Sequence, residues 1–275
     1  MKSFGVVVFS ILAAIGFSGC IQDEKVVKLK PDGSGTFEET FVIGHQALAQ
    51  MKQLSEGFGA LGKNFGKGGS SAFKVLDEEK LREAEEKLGD GVKFVSAKAV
   101  TTEGGEGYSV VYSFSDINKL RLEQNPAENL PAAASAMRMS KGKKESIKFD
   151  FKKGSPALLT VKMPVPKDSD LKDRAQLPSG QGDMAATMMQ QMFKDMKVSV
   201  AIEFQGRIAE SNAEYQDGSR VTLVEMDFNK VLSDPEKFKA LLAAQPKTIE
   251  EAKTLVKGVD GMKAETQPQV TVTFE

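Results

Sequence analysis

The chain has 275 residues, with 37 Lys and Arg against 38 Asp and Glu and a net charge of −1 at pH 7, so it lacks the basic footprint by which a nucleic-acid-binding protein neutralises phosphates. The absence of Trp and the presence of only three Tyr argue against an aromatic platform for stacking sugars or anchoring a partner. A single Cys excludes an internal disulfide, so the fold must stand on a hydrophobic core, which a chain of this length is able to bury.

The first segment reads as an export signal. Lys2 supplies a positive start, Phe4 to Phe17 form an uncharged apolar run, and Ser18 and Gly19 are small residues before Cys20. The run falls short of the about 20 apolar residues that cross a bilayer. Phe17-Ser18-Gly19-Cys20 resembles the lipobox of bacterial lipoproteins, with Phe17 where that family usually has Leu. The resemblance implies a diacylglyceryl group on the Cys20 sulfur, cleavage before it and acylation of its amine. Residues 1–19 would then be a signal peptide, residues 20–275 an extracytoplasmic domain, and the membrane a partner through lipidated Cys20. One acyl chain anchors only marginally at about 0.8 kcal/mol per buried methylene, whereas two or three hold essentially permanently. Ile21 and Gln22 lack the aspartate that retains some lipoproteins at the inner membrane, which implies the outer membrane if the organism has one.

Val26, Val27 and Leu29, the stretch "PDGSG", and Phe37, Phe41 and Ile43 predict a hairpin, because Asp-Gly supplies the turn. Asp32 lacks the alternating oxygen ligands of a calcium loop. The strand is expected within about five residues of Cys20, a tether of under about 20 Å. Met51, Leu54, Phe58, Leu61 and Phe65 then recur at helical spacing, interrupted by Gly57, Gly59, Gly62 and Gly66, each costing roughly 0.5–1 kcal/mol in a helix. The Gly-rich segment 57–71 reads as a flap, as a membrane-contacting segment aided by Lys52, Lys63 and Lys67, or as a loose loop after core packing.

Asp77 caps a predicted helix with Leu81, Ala84 and Leu88 on one face and Gly89 at its end. Val92 and Phe94, the turn "TTEGGEG", and Tyr108, Val110, Tyr112 and Phe114 predict a second hairpin, followed by a short helix near Asp116. Residues 125–144 form an Ala-rich, then basic connection, with "KGKK" and Arg138 read as a solvated face. Ile147, Phe149 and Phe151 pair with Leu159, Val161 and Met163 in a third hairpin. A polar linker follows, with a possible sub-boundary at 165–182. Met188, Met189, Met192 and Met196 have helical spacing that suits a core or an apolar groove. Val198 to Phe204 form a strand, Asp234-Pro235 and Thr248 with Glu251 start two helices, and Val270, Val272 and Phe274 close the chain as a period-two strand.

"VVYSFSDINKL" (110–120) and "VTLVEMDFNKV" (221–231) look alike and hint at a duplicated strand-turn-strand-helix unit. Gly206 to Leu223, with Ser211-Asn212-Ala213, Asp217-Gly218 and Val221, resembles a module of bacterial envelope lipoproteins, including the LppM-like domain, in which a "G-x-[IV]-x-x-[ST]-N-[AG]" strand precedes a hairpin. That resemblance covers under a tenth of the chain, implies an anchored extracytoplasmic domain, and carries over no functional residue.

The sequence nominates no catalytic, cofactor-binding or metal-ligating residue. His45 is the sole histidine, which leaves no His-rich metal site and only one candidate for a Ser-His-Asp triad. Neither "G-x-S-x-G" nor a phosphate-binding loop occurs; Gly62-Lys63 is followed by Asn64. Glu225 and Asp227 have the spacing of paired carboxylates on one strand face, or of a solvated face. The expectation is an α+β fold of mostly antiparallel hairpins packed with amphipathic helices, and a lipid-anchored envelope protein without catalysis that binds an unknown envelope protein or serves structurally. The alternatives are a carrier of a lipid or other hydrophobic ligand, resting on the Met-rich and Gly-interrupted segments, and an unconventional hydrolase.

Overall fold

In the chain's computed structural model, residues 21–49, 52, 74–123, 146–163, 194–244, 246 and 248–275 are described. Strands β1 (Ile21–Leu29) and β2 (Gly35–Gly44) form the hairpin that the Asp-Gly turn predicts. Gly33 there takes φ +90, a conformation that side-chain-bearing residues rarely adopt, while Asp32 accepts from the Ser34 amide and hydroxyl at 2.9 and 2.7 Å. The second predicted hairpin, β3 (Lys93–Thr101) and β4 (Gly105–Phe114), adds through β4 to β2. On the other flank β1 pairs in parallel with β8 (Lys197–Phe204), and β8 pairs with β11 (Arg220–Asp227). β10 (Gln216–Asp217) and β12 (Met262–Ala264) both pair with β11, completing an eight-stranded mixed sheet.

A second, antiparallel sheet has the order β5 (Leu122–Glu123), β6 (Ser146–Lys152), β7 (Ala157–Lys162), β13 (Gln269–Phe274) and β9 (Ile208–Ser211). Period two turns Val27, Leu29, Phe37, Val110 and Ile202 of the large sheet, and Leu159, Val161, Val270 and Val272 of the small one, into one continuous core. The two layers are fastened where β1 ends. Phe204 and Phe274 meet edge to face at 4.7 Å, and the Phe151 amide of β6 donates to Asn118 Oδ1, just beyond β4, at 2.7 Å.

This architecture corrects the α+β expectation: the described residues are mostly β, with 48% strand and 23% helix, and a second sheet takes the place expected for packed helices. The helices α1 (Glu78–Leu88), α2 (Phe228–Leu232), α3 (Pro235–Ala243) and α4 (Ile249–Lys257) are short, and α1 has no fully buried residue. The starts of α1, α3 and α4 are where the sequence places them, capped by Asp77, Asp234 and Thr248, while α2, capped by Asp227, was not expected. A helix cap contributes about 1 kcal/mol, whereas each large apolar side chain buried between the sheets contributes about 1.5–3 kcal/mol, so the interface between the sheets dominates.

The suggested duplication stops at local chemistry. Asp116 caps a 3-10 turn, Ile117–Lys119, by accepting from the Asn118 amide at 3.0 Å, and Asp227 caps α2 by accepting from the Lys230 amide at 3.4 Å. The flanking strands differ: β4 lies between β2 and β3, whereas β11 pairs with three strands and carries a bulge between Thr222 and Val224. The 57–71 and 165–182 segments and the Met188, Met189 and Met192 stripe lie outside the described residues.

Candidate functional site

The inner wall of the large sheet is not apolar throughout. Odd positions of β1 run Ile21, Asp23, Lys25, Val27 and Leu29, so the alternation that buries Val27 and Leu29 also turns a carboxylate and an ammonium inward. The β1–β2 register sets Lys25 opposite Glu39 and Asp23 opposite Phe41, and the β2–β4 register sets Glu39 opposite Val110 and Phe41 opposite Tyr108. Side-chain exposures are 0% for Asp23, 8% for Glu39 and 12% for Lys25.

Lys25 Nζ donates to Asp23 Oδ2 and stands 3.5 Å from Glu39 Oε1. Asp23 Oδ1 is buried and has no hydrogen-bond partner among the described residues. Burial raises the Asp23 pKa above the ordinary carboxylate value, and the Lys25 charge and hydrogen bond only partly offset it. Burial alone would lower Lys25, but the charges of Glu39 and Asp23 outweigh it and raise its pKa. Tyr108, tilted against Phe41 at a ring separation of 5.6 Å, is pushed far up by burial and then by the negative charges of Glu39 and Asp23, so its phenol stays protonated.

Chemically, the cluster offers one cation shared between two carboxylates and one unused acceptor on Asp23, against aromatic and aliphatic walls. It can hold a proton or accept a hydrogen bond. Lys25 is held as an ammonium by its two carboxylate neighbours, and among the described residues no group of three or more His, Cys, Asp or Glu is placed to hold a metal ion. Charges on the outer face behave differently. Arg220 bridges Glu203 at 2.7 Å and Glu24 at 3.0 Å in partial contact with solvent, where such pairs contribute about 0–1 kcal/mol.

The residues singled out in the sequence are dispersed. Cys20 lies outside the described residues, bonded directly to Ile21, the first residue of β1. His45 is exposed, follows β2, and its amide donates to the Gly104 carbonyl at 3.2 Å. Glu225 pairs with Lys263 at 3.3 Å across β11 and β12, while Asp227 caps α2, so these two carboxylates serve separate purposes. The buried trio of Asp23, Lys25 and Glu39 went unread; the signal for it was charge at the inward positions of a period-two strand. No helix among the described residues is long and apolar enough to cross a membrane.

No family model matches the chain, and no curated protein matches it. A solved structure with some likeness is the NMR structure of the folded domain of the LppM protein of Mycobacterium tuberculosis, at 11% sequence identity and a TM-score of 0.29, covering 76% of this chain and 82% of that one.

Proposed function

We propose that this is a lipid-anchored cell-envelope protein whose two-sheet domain acts by binding or as a structural element rather than by catalysis. The observation that carries this reading is the junction at Cys20: the lipobox-like residues 17–20 are followed at once by β1, with no intervening linker. An acylated Cys20 would place a folded β-sheet directly at a lipid surface. The charged trio on the inner wall supports a non-catalytic role, since Lys25 engages both carboxylates and the three side chains are almost entirely withdrawn from solvent. The carrier alternative drew on the Met-rich and Gly-interrupted segments, most of which lie outside the described residues.

The test is intact-mass analysis and membrane fractionation of the full chain beside a Cys20→Ser variant. The expected result is a mature chain starting at Cys20 with acyl chains added, and release of the variant from membranes. An unmodified thiol, or unchanged fractionation of the variant, overturns the reading.

A further inference from the structure

Resting on that anchored reading, we infer that the pole of the large sheet where β1 starts lies against the lipid surface, and that this surface is zwitterionic rather than anionic. The reason is mechanical. Ile21 is one peptide unit, about 3.8 Å, from Cys20, and it cannot swing. β1 is a central strand, with Ile21 opposite Ile43 on β2 and Gln22 opposite Lys197 on β8. The lipid attachment therefore sits in the middle of a rim that the strand registers define: Gly44 and Gly105 on one side, Lys197 and Asp227 on the other.

The rim is held together by its own hydrogen bonds. On one flank the His45 amide donates to Gly104, which closes the β2 exit onto the β3–β4 turn. On the other, the Phe228 amide donates to Met196 and the Asp227 amide to Gly261, and Asn229 Oδ1 accepts from the Asp195 amide at 3.0 Å while Asn229 Nδ2 donates to Asp195 Oδ1 at 2.9 Å. A rim fixed in this way moves with β1, so a lipid at Cys20 orients the whole sheet.

The charges choose the surface. Among the described residues, Glu103, Glu106, Asp195 and Asp227 stand around the rim against Lys194, Lys197 and Lys230, with no basic excess. An anionic bilayer selects clustered Lys and Arg, worth about 1 kcal/mol each near the surface; a rim without a basic excess gains nothing from it. The opposite pole, with the 30–34 turn and the joint between the sheets, is then about 30 Å away, since β1 has nine residues at about 3.3 Å each.

Lipidated full-length protein in phosphatidylcholine vesicles carrying a headgroup quencher tests this, with a fluorophore on Glu103→Cys or on Lys30→Cys; acylated Cys20 does not compete for label. The Glu103 label is expected to be quenched several-fold more than the Lys30 label, with the ratio unchanged when phosphatidylglycerol is added. Equal quenching, or stronger quenching at Lys30, in vesicles that retain the protein overturns the orientation while leaving the anchor intact. Preferential quenching at Glu103 that appears only with phosphatidylglycerol overturns the zwitterionic assignment. Protein that fails to float with the vesicles overturns the anchor and the orientation together. Amine-reactive footprinting of the unsubstituted protein supplies a second readout: Lys194, Lys197 and Lys230 should be protected by vesicles and Lys30 and Lys153 should not, and the reverse pattern counts against the proposal.

Discussion

Lys25 on β1 and Glu39 on β2 stand opposite each other on the inner wall of the large sheet, 3.5 Å apart, and Lys25 is bonded at the same time to Asp23. One buried cation thus serves two buried carboxylates.

Removing the cation should therefore do far more harm than removing one anion. Lys25→Met takes the shared cation away from two buried carboxylates and is expected to cost about 3–5 kcal/mol near neutral pH. Asp23→Asn leaves a balanced Lys25–Glu39 pair and should match or exceed the parent in stability. Urea unfolding midpoints check both. Equal losses in the two variants would mean that the three groups do not share charge as described.

The sign of the pH dependence follows from Asp23. Its pKa is raised above 3.8 in the fold, so the native state binds that proton more tightly than the unfolded chain. Its contribution is present below 3.8 and is lost as pH rises through the folded value. The advantage of Asp23→Asn over the parent should accordingly grow as pH rises from about 4 towards neutrality and then level off. Asp32, held low by its Ser34 hydrogen bonds, and the helix caps Asp77 and Asp234, held low by the backbone amides they accept, act in the opposite sense. Their contributions are present above the ordinary carboxylate range and are lost as pH falls. Denaturant titrations across this range separate the two trends.

Gly107 and Gly104 lie close in sequence and should respond oppositely to alanine. A Cβ on Gly107 would come within 1.8 Å of the Phe41 carbonyl oxygen, in the ladder that joins β4 to β2, whereas a Cβ on Gly104 meets nothing within 4 Å. Gly107→Ala should cost about 3 kcal/mol or more, and Gly104→Ala about 0.5 kcal/mol or less. Thermal unfolding of the pair reads the contrast.

Tyr112 ties α1 to the sheet, its hydroxyl donating to the Leu81 carbonyl at 2.7 Å. Since α1 has no fully buried residue, Tyr112→Phe should cost roughly 1 kcal/mol and raise hydrogen exchange in residues 78–88 while β2 and β4 keep their protection. Uniform loss of protection across the sheet would contradict this picture.

Local signals in the sequence carried a long way. The Asp-Gly turn, the alternation of Phe37, Phe41 and Ile43, and the caps at Asp77, Asp116, Asp234 and Thr248 all correspond to elements at those positions. What failed was the assignment of layers. Period-two runs show that a strand has an inner face, but not which distant strand covers it or joins its edge. The parallel pairing of β1 with β8 and the packing of Phe274 on Phe204 connect residues far apart in the chain, and nothing in either segment alone announces the other. The amphipathic helices looked like the natural cover because their stripes were legible, yet their caps specify where they start and not how deeply they pack. The inward charges of β1 were hidden for a related reason. Asp23, Glu24 and Lys25 read as a polar stretch until the register with β2 shows that alternate members face the core.

The β1–β8 pairing also sets a timetable for the nascent polypeptide. β1 through β4 pair antiparallel in the order β1-β2-β4-β3 from the first part of the chain, but the parallel neighbour of β1 is not made until residues 197–204 emerge, and such long-range closure is slow. Until then the strand destined for the middle of the sheet is an open edge, available to another molecule's backbone. A chain truncated before residue 197 should therefore self-associate through β1, and the cell has reason to keep this protein guarded until its last third has been synthesised.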